Sequence, residues 1–253
     1  MSEYTNYQAT ANEYSVDLVI CIDGTGSMMS LIDTVKQQAK DFYNLYVAEM
    51  YKSTPPRAVR DNGLRVKVIV FRDFVDTKTA PLEQSRFFNL QDPAEVHAFQ
   101  NYVDNITAEG GGDTPENALE AIVTAMQTEW SHEGGGKRRQ VILLFTDTCT
   151  YDLNVPSRAS MPGYPSMMPH SVEELQDIWE SGDQELVPDY APKFGRLIVF
   201  APLDSGVTSP ADRIIDWKYI DSWPRTWLVN VKPGGGCDEV DMQQALNVLV
   251  GSY

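Results

Sequence analysis

The feature that most constrains the fold is an apolar run over residues 17–23, which ends in an acid. A strand that is apolar on both faces is typical of a parallel sheet covered by helices on both sides. The chain continues Asp-Gly-Thr-Gly-Ser over residues 23–27. The glycines permit a tight turn, so the oxygen-bearing side chains of Asp23, Thr25 and Ser27 can converge. Hard cations such as Mg²⁺ prefer oxygen ligands. The alternative is a plain glycine turn with Ser27 as a helix cap.

Strand-like and helix-like segments alternate along the rest of the chain. Apolar runs predict strands at 17–23, 64–71, 87–90, 140–146, 196–200 and 227–231, and helical spacing predicts helices at 28–51, 93–106, 116–130, 211–217 and 238–250. This alternation predicts an α/β fold, doubly wound, with a mostly parallel central sheet and helices on both faces. We expect a polar N-terminal tail over 1–14 and one domain over 15–253, which carries a long insertion at about 148–193.

Two further segments carry oxygen ligands. Residues 110–117 read Gly-Gly-Gly-Asp-Thr-Pro-Glu-Asn, and the apolar run 141–145 is followed by Thr146 and Asp147. Ligands of open α/β sheets bind outside the carboxyl ends of the strands. Asp23 and Asp147 should therefore lie on one sheet edge, where the glycine-rich loop also leads into a helix. The sequence predicts a cation site built from three loops.

These motifs, in this order, resemble the von Willebrand factor type A (vWA) domain and its metal-ion-dependent adhesion site. That family carries Asp-x-Ser-x-Ser after the first strand, a Thr or Asp in a later glycine-rich loop, and an Asp closing the next central strand. The resemblance implies Asp23, Thr25, Ser27 and Asp147 as ligands, with Thr25 keeping the hydroxyl of the usual first serine. It covers about residues 15–250.

The glycine-rich loop departs from the best-known family pattern, in which the ligand threonine stands six residues before a helical leucine. Counting back from Leu119 reaches Asp113 rather than Thr114. The Gly-Gly-Gly-Asp-x-Pro-Glu form looks like that of a bacterial, kinase-associated branch of the family. Asp113 is the first choice as loop ligand and Thr114 the second, and either could instead cap the helix after Pro115. A third carboxylate should strengthen cation binding and weaken the demand for an acid from a partner.

Composition excludes several classes of function. The 253 residues carry 36 acids and 20 bases, a formal net charge of −16, which argues against nucleic-acid or anionic-membrane partners. The 3 cysteines are too scattered for a zinc knuckle or a disulfide framework. No signal peptide and no membrane-spanning run is visible. We expect a cytoplasmic protein.

The insertion at 148–193 leaves from the predicted metal edge, directly after Asp147. Loops of this length are commonly functional or disordered. Its methionines and aromatics suit an adaptable binding surface, or they pack the insertion onto the domain. One helix is expected at 171–179, capped by Ser171. Arg72-Asp73 follows the second strand; Asp73 could orient a metal-bound water, or the two residues could form an ordinary surface ion pair.

Enzymatic classes fit less well. Haloacid-dehalogenase phosphatases read Asp-x-Asp-Gly-Thr after an apolar strand, but Cys21 stands here in place of the nucleophilic aspartate. No phosphate-binding loop with lysine is present, and no histidines are spaced for zinc or a triad. A metal-dependent hydrolase therefore remains a minor alternative.

The favoured interpretation is a binding protein and not an enzyme. It would hold Mg²⁺, or Mn²⁺ or Ca²⁺, and leave one coordination position for the carboxylate of a partner protein. The bacterial-type motifs suggest an intracellular adaptor for a kinase, phosphatase or AAA-type ATPase in a stress or defence assembly, by analogy at the level of the fold. The alternative is a structural interaction subunit whose metal site is degenerate and whose contacts use the insertion alone.

Overall fold

The structure is a computed structural model of the chain, and it describes residues 13–52, 57–76, 78–111, 115–133, 137–203, 213–231 and 246. The main sheet has the order β3-β2-β1-β5-β7-β9, with β4 pairing beside β2. The strands are β1 Glu13–Asp23, β2 Ala58–Phe71, β3 Leu82–Gln84, β4 Phe88–Asn89, β5 Arg138–Phe145, β7 Gly195–Ala201 and β9 Thr226–Asn230, and a small second sheet pairs β6 Thr150–Tyr151 with β8 Ile214–Ile215. Strands β2, β1, β5, β7 and β9 are parallel, whereas β3 and β4 are antiparallel to β2.

Helices cover both faces of this sheet. They are α1 Ile32–Lys52, α2 Pro93–Asp104, α3 Ala118–Met126, α4 Pro156–Ala159, α5 Val172–Ser181 and α6 Trp217–Asp221, with 3₁₀ turns at Gly26–Ser30 and Pro192–Phe194. Alternate residues of β1 enter two separate cores. Leu18 and Ile20 pack with α1 and α2, while Val19 and Cys21 pack with α3 and α5. Burial on both faces explains the near-continuous apolar run and confirms the doubly wound fold.

Some element boundaries differ from those expected. Strand β1 begins at Glu13, so the two residues 13–14 pair with β2 rather than belonging to a tail. The helix predicted at 211–217 is wrong, because Ile214–Ile215 form strand β8 and the helix begins only at Trp217. Residues 211–212 lie outside the described ranges. So does the helix predicted at 238–250, except for Leu246, which is helical and buried.

The insertion packs closely on the domain. It contains β6, α4 and α5, and its Trp179 and Tyr190 are buried in the same core as α3. Helix α5 is capped as expected, since the Ser171 hydroxyl accepts a hydrogen bond from the Glu174 amide at 3.4 Å. Met167 remains 49% exposed. Most of the large side chains of the insertion therefore serve packing. In the described ranges, no helix has the length and apolar character required to cross a bilayer.

Candidate metal centre

The turn after β1 is clamped between its neighbours. The amide of Gly24 donates to the Phe71 carbonyl at 2.9 Å, and the amide of Gly26 donates to the Gly110 carbonyl at 2.9 Å. A Cβ on Gly24 would lie 2.6 Å from Cγ1 of Val70, which is closer than packed atoms approach, so only glycine fits. The turn is therefore held on one side by β2 and on the other by the glycine-rich loop.

The Arg72 side chain adds further hydrogen bonds that hold the turn after β1. Its guanidinium is buried, with Nε donating to the Gly24 carbonyl at 3.0 Å and Nη2 to the Thr107 carbonyl at 3.0 Å. Nη1 donates to the Ala80 carbonyl at 3.2 Å and pairs with Glu83. One side chain thus joins the turn after β1, the loop after β2 and the loop after α2. Arg72 positions the site loops.

Asp73, like Arg72, is buried, so the alternative interpretation of an ordinary surface ion pair is wrong. Its Oδ1 accepts a hydrogen bond from the Val75 amide at 3.0 Å, and its Oδ2 lies 3.6 Å from Nη2 of Arg158. Arg158 belongs to α4 of the insertion. Asp73 therefore helps to anchor the insertion beside the sheet edge, and its predicted role toward a metal-bound water stays a prediction.

The oxygens of the two strand ends converge. The Thr25 hydroxyl donates to Oδ1 of Asp23 at 2.6 Å and lies 3.1 Å from the Ser27 hydroxyl, which in turn donates to Oδ1 of Asp147 at 3.1 Å. On the other side, the Thr146 hydroxyl donates to Oδ2 of Asp23 at 2.7 Å. The structure thus brings four of the predicted residues into one hydrogen-bonded chain. Thr146 was not among the predicted residues, because its position at the end of a strand carried no separate signal.

Burial perturbs both carboxylates of this chain. It raises the pKa of Asp23 to about 6, and the hydrogen bonds from Thr25 and Thr146 offset the shift only in part. Burial likewise raises the pKa of Asp147, against the bond from Ser27. Loss of hydration is thus the main cause of both shifts, and a bound cation would counteract it. Within the described residues, no group of three or more His, Cys, Asp and Glu side chains is placed to hold a metal.

The glycine-rich loop lies against the turn. Gly110 and Gly111 have positive φ angles of 78° and 84°, and a Cβ on Gly111 would lie 3.2 Å from Cβ of Thr25. Asp113 and Thr114 follow after Gly112, and residues 112–114 lie outside the described ranges. Which of them is the loop ligand therefore stays a prediction.

Glu116 is an acid of this loop that the sequence did not single out. It is buried, and its Oε1 would lie 3.5 Å from a Cβ on Gly111. Its backbone pairs with the segment after β5, because its amide donates to the Cys149 carbonyl and its carbonyl accepts from the Tyr151 amide. The loop is thereby tied to the start of the insertion. Its position directly after a proline in a glycine-rich loop was the signal that could have drawn attention to it.

The donor set fits a small hard cation. Mg²⁺ takes six oxygens at 2.0–2.1 Å, so neighbouring ligands of its octahedron are about 3.0 Å apart. Ser27 Oγ lies 3.1 Å from Thr25 Oγ1 and 3.1 Å from Asp147 Oδ1, which matches two such edges. Both oxygens of Asp23 already accept hydrogen bonds from the protein, so this acid would act mainly by orienting Thr25 and by its charge.

Comparison with known sequences settles the family. The sequence profile of the von Willebrand factor type A domain matches residues 18–149, which is more than half of the chain. The chain belongs to the vWA domain family. The match runs from β1 through the end of β5 and includes the candidate site. No curated protein gave a significant match.

Solved structures share the fold of this vWA domain at low identity. A pilus adhesin, SpaC from Lactobacillus rhamnosus GG, aligns with TM-score 0.51 and 12% identity over 95% of this chain and 30% of that protein. The PilB minor pilin from Streptococcus sanguinis aligns with TM-score 0.51 and 12% identity over 95% of this chain and 61% of that protein. The chain thus spans less than two thirds of either protein, and the likeness concerns the fold.

Proposed function

We propose that this vWA domain binds a divalent cation at the edge formed by β1 and β5, and docks a partner protein through it. Ser27 and Asp147 would coordinate Mg²⁺, or Mn²⁺ or Ca²⁺, together with Thr25 and a ligand from the glycine-rich loop, either Asp113 or Thr114. The observation that carries this proposal is the pair of 3.1 Å separations around Ser27 Oγ. The cation would supply a positive centre that accepts a carboxylate of the partner.

Membership of the family and the fold of the aligned adhesin and pilin support a role in protein interaction. At the β1–β5 edge, the carboxylates of Asp23 and Asp147 repel an acidic side chain, so a cation would be needed there to attract one. We propose an intracellular, bacterial-type adaptor in the cytoplasm. A kinase, phosphatase or AAA-type ATPase of a stress or defence assembly would be its partner, with contacts from the insertion at 148–193.

We further propose that the domain binds and does not catalyse. The position at which a haloacid-dehalogenase phosphatase carries its nucleophile is occupied by Cys21, whose thiol is buried and donates to the Ala121 carbonyl at 3.8 Å. Burial raises the pKa of this thiol well above its ordinary value, which suppresses the reactive thiolate. A thiol in this state supports a packing role.

One observation favours the second candidate, a structural interaction subunit with a degenerate metal site. Asp23 already satisfies both of its oxygens with hydroxyl and amide donors from Thr25 and Thr146. In that case the network would be held by hydrogen bonds alone, and partner contacts would come only from the insertion.

Calorimetric titration with MgCl₂, MnCl₂ and CaCl₂ separates the two candidates. We expect saturable binding by the wild type and its loss in Asp147→Asn and Ser27→Ala. Asp33→Asn is the matched control, because Asp33 lies close by at the start of α1 with its side chain 96% exposed. Mg²⁺ should also raise the free energy of unfolding by about 2.7 kcal/mol when its free concentration is one hundred times the dissociation constant. Absence of binding in the wild type, or equal binding in Asp147→Asn, would refute the metal site.

Partner docking needs a separate experiment. Proteins encoded by genes that neighbour the gene of this chain would be purified. Their binding to the domain would be measured once in the presence of Mg²⁺ and once in the presence of EDTA. Chelation should abolish docking if the cation carries it. Docking that survives EDTA but is lost when the exposed Met167 is changed to Ser would instead support the structural subunit.

A further inference from the structure

A second concave site lies far from the metal edge. A cavity of about 520 Å³ opens between strands β2 and β3 and the end of α3. Lys67, which lines this cavity, pairs with Val19 of β1, whereas Phe71 pairs with Asp23. Four residues of strand separate the two levels, which is about 13 Å. The cavity is therefore distinct from the candidate metal centre.

This cavity is rich in cations although the chain as a whole is acidic. Arg65, Lys67 and Arg86 all line it. Two of them are already neutralised by carboxylates. Arg65 forms a bidentate pair with Asp17 at 2.8 Å and 2.7 Å, and Arg86 pairs with Glu95 through both terminal nitrogens.

Lys67 differs from its two neighbours. Its half-buried ammonium donates to the Thr128 hydroxyl at 2.8 Å, and no carboxylate among the described residues forms an ion pair with it. An ammonium has three donors, so two are left for a ligand. Burial lowers the pKa of Lys67, and the charge of Glu129 offsets this only in part. A partly desolvated cation that no described carboxylate contacts directly is a site where an anion gains a charge-assisted hydrogen bond.

Arg65 supplies a second donor beside it. Its guanidinium lies over the Phe87 ring, 4.3 Å from the centroid, and is fixed by the pair with Asp17. Its Nε and Nη2 are engaged with Asp17 and the Glu129 carbonyl, which leaves Nη1 without a hydrogen bond in the described part of the chain. Nη1 of Arg65 and the ammonium of Lys67 therefore both remain free to donate within one cavity.

We propose that this cavity binds an oxyanion, the carboxylate or phosphate group of a small molecule, through Lys67 and Arg65. Phe87 also lines the cavity, and its cation–π contact helps to hold the Arg65 guanidinium in place. Glu129 is exposed on the rim and repels the ligand, which limits affinity for highly charged anions. This proposal does not depend on the metal-dependent docking.

The test is a titration followed by amide chemical shifts, at constant ionic strength set with chloride. The probes are inorganic phosphate and glutarate, which separate the two kinds of oxyanion. We expect saturable shifts around β2 and the end of α3 with at least one probe. Lys67→Met keeps the aliphatic stem and should weaken binding on the order of tenfold. Lys218→Met, which removes an exposed lysine on α6, should change nothing.

Glu129→Gln gives a test of opposite sign. Removing this exposed carboxylate should tighten binding up to about fivefold, the range of an exposed charge pair, and it cannot fail by unfolding a core. Three results would overturn the proposal. They are an affinity of Lys67→Met equal to that of the wild type, an affinity of Glu129→Gln that is unchanged, and the absence of chemical-shift changes with both probes at about 50 mM, far above the range of specific sites.

Discussion

The most informative single substitution is Glu120→Gln, because Glu120 is fully buried in α3. Neither of its carboxylate oxygens makes a hydrogen bond to a described residue. Burial raises its pKa from 4.5 to about 7, and the charge of Asp152 reinforces this shift. The folded protein therefore holds this group protonated at pH values where the unfolded chain has released the proton.

The sign and size of the effect follow from this difference. Because the folded state binds more protons than the unfolded state between pH 4.5 and pH 7, Glu120 lowers the free energy of unfolding as the pH rises through this interval. Below pH 4.5 Glu120 does not reduce the free energy of unfolding, and above pH 7 the reduction reaches its full size. At 1.36 kcal/mol per unit, the loss amounts to about 3 kcal/mol. The Gln side chain is neutral at every pH and removes it.

Urea unfolding followed by tryptophan fluorescence measures this directly. Glu120→Gln should match the wild type near pH 4.5 and exceed it by up to about 3 kcal/mol at pH 8. Glu185→Gln, at an exposed position, is the control and should leave the pH profile of the wild type unchanged. A difference between wild type and Glu120→Gln that is the same at both pH values would show that the pKa of Glu120 is equal in the folded and unfolded states, and the reasoning would be refuted.

Four further substitutions compare the loops of the site with positions in the insertion. Arg72→Met leaves buried carbonyls without their donor and should cost about 3 kcal/mol in urea unfolding, with weaker Mg²⁺ binding by calorimetry; unchanged binding would exclude a positioning role. Gly111→Ala places a Cβ 3.2 Å from Cβ of Thr25 at a φ of 84°. This substitution should lower the free energy of unfolding by about 1–2 kcal/mol and should reduce Mg²⁺ affinity. Gly163→Ala is the control: at a φ of 88° it should lose similar stability and keep its Mg²⁺ affinity. Ser171→Ala removes the α5 cap and should cost about 1 kcal/mol in thermal unfolding without any change in Mg²⁺ affinity.

The central sheet could be predicted because its strands are buried on both faces. Strands β1 and β5 contain the continuous apolar runs 18–22 and 141–145, which indicate buried strands without reference to their neighbours. Strand β3 could not be predicted, since its three residues are half-buried or exposed and their conformation comes from pairing with β2. Strand β8 was misread as helix because its two residues pair with β6, far away in sequence. Such pairing leaves no local signal.

The site shows the same division. The convergence of Asp23 and Asp147 followed from parallel topology, which places the carboxyl ends of β1 and β5 on one edge. The positioning role of Arg72 could not be predicted in this way. Charged side chains are usually exposed, and the sequence Arg72-Asp73 carries no sign that the arginine is buried. Its burial depends on three carbonyl oxygens from separate loops, and only the folded backbone brings these together.

The identity of the loop ligand also decides how the site treats a partner. If Asp113 coordinates the cation beside Asp147, its charge and those of Asp147 and the nearby Asp23 together outweigh the charge of one divalent ion, and the occupied site repels a partner's carboxylate. If Thr114 coordinates instead, two carboxylates only balance the ion. We therefore expect Asp113→Asn to weaken Mg²⁺ binding, measured by calorimetry, and to tighten binding of acetate to the Mg²⁺-saturated protein, measured by chemical shifts. Opposite signs in the two titrations are expected only of a coordinating carboxylate, because a lost helix cap would weaken both. If neither titration changes, Asp113 is not a ligand and Thr114 takes its place.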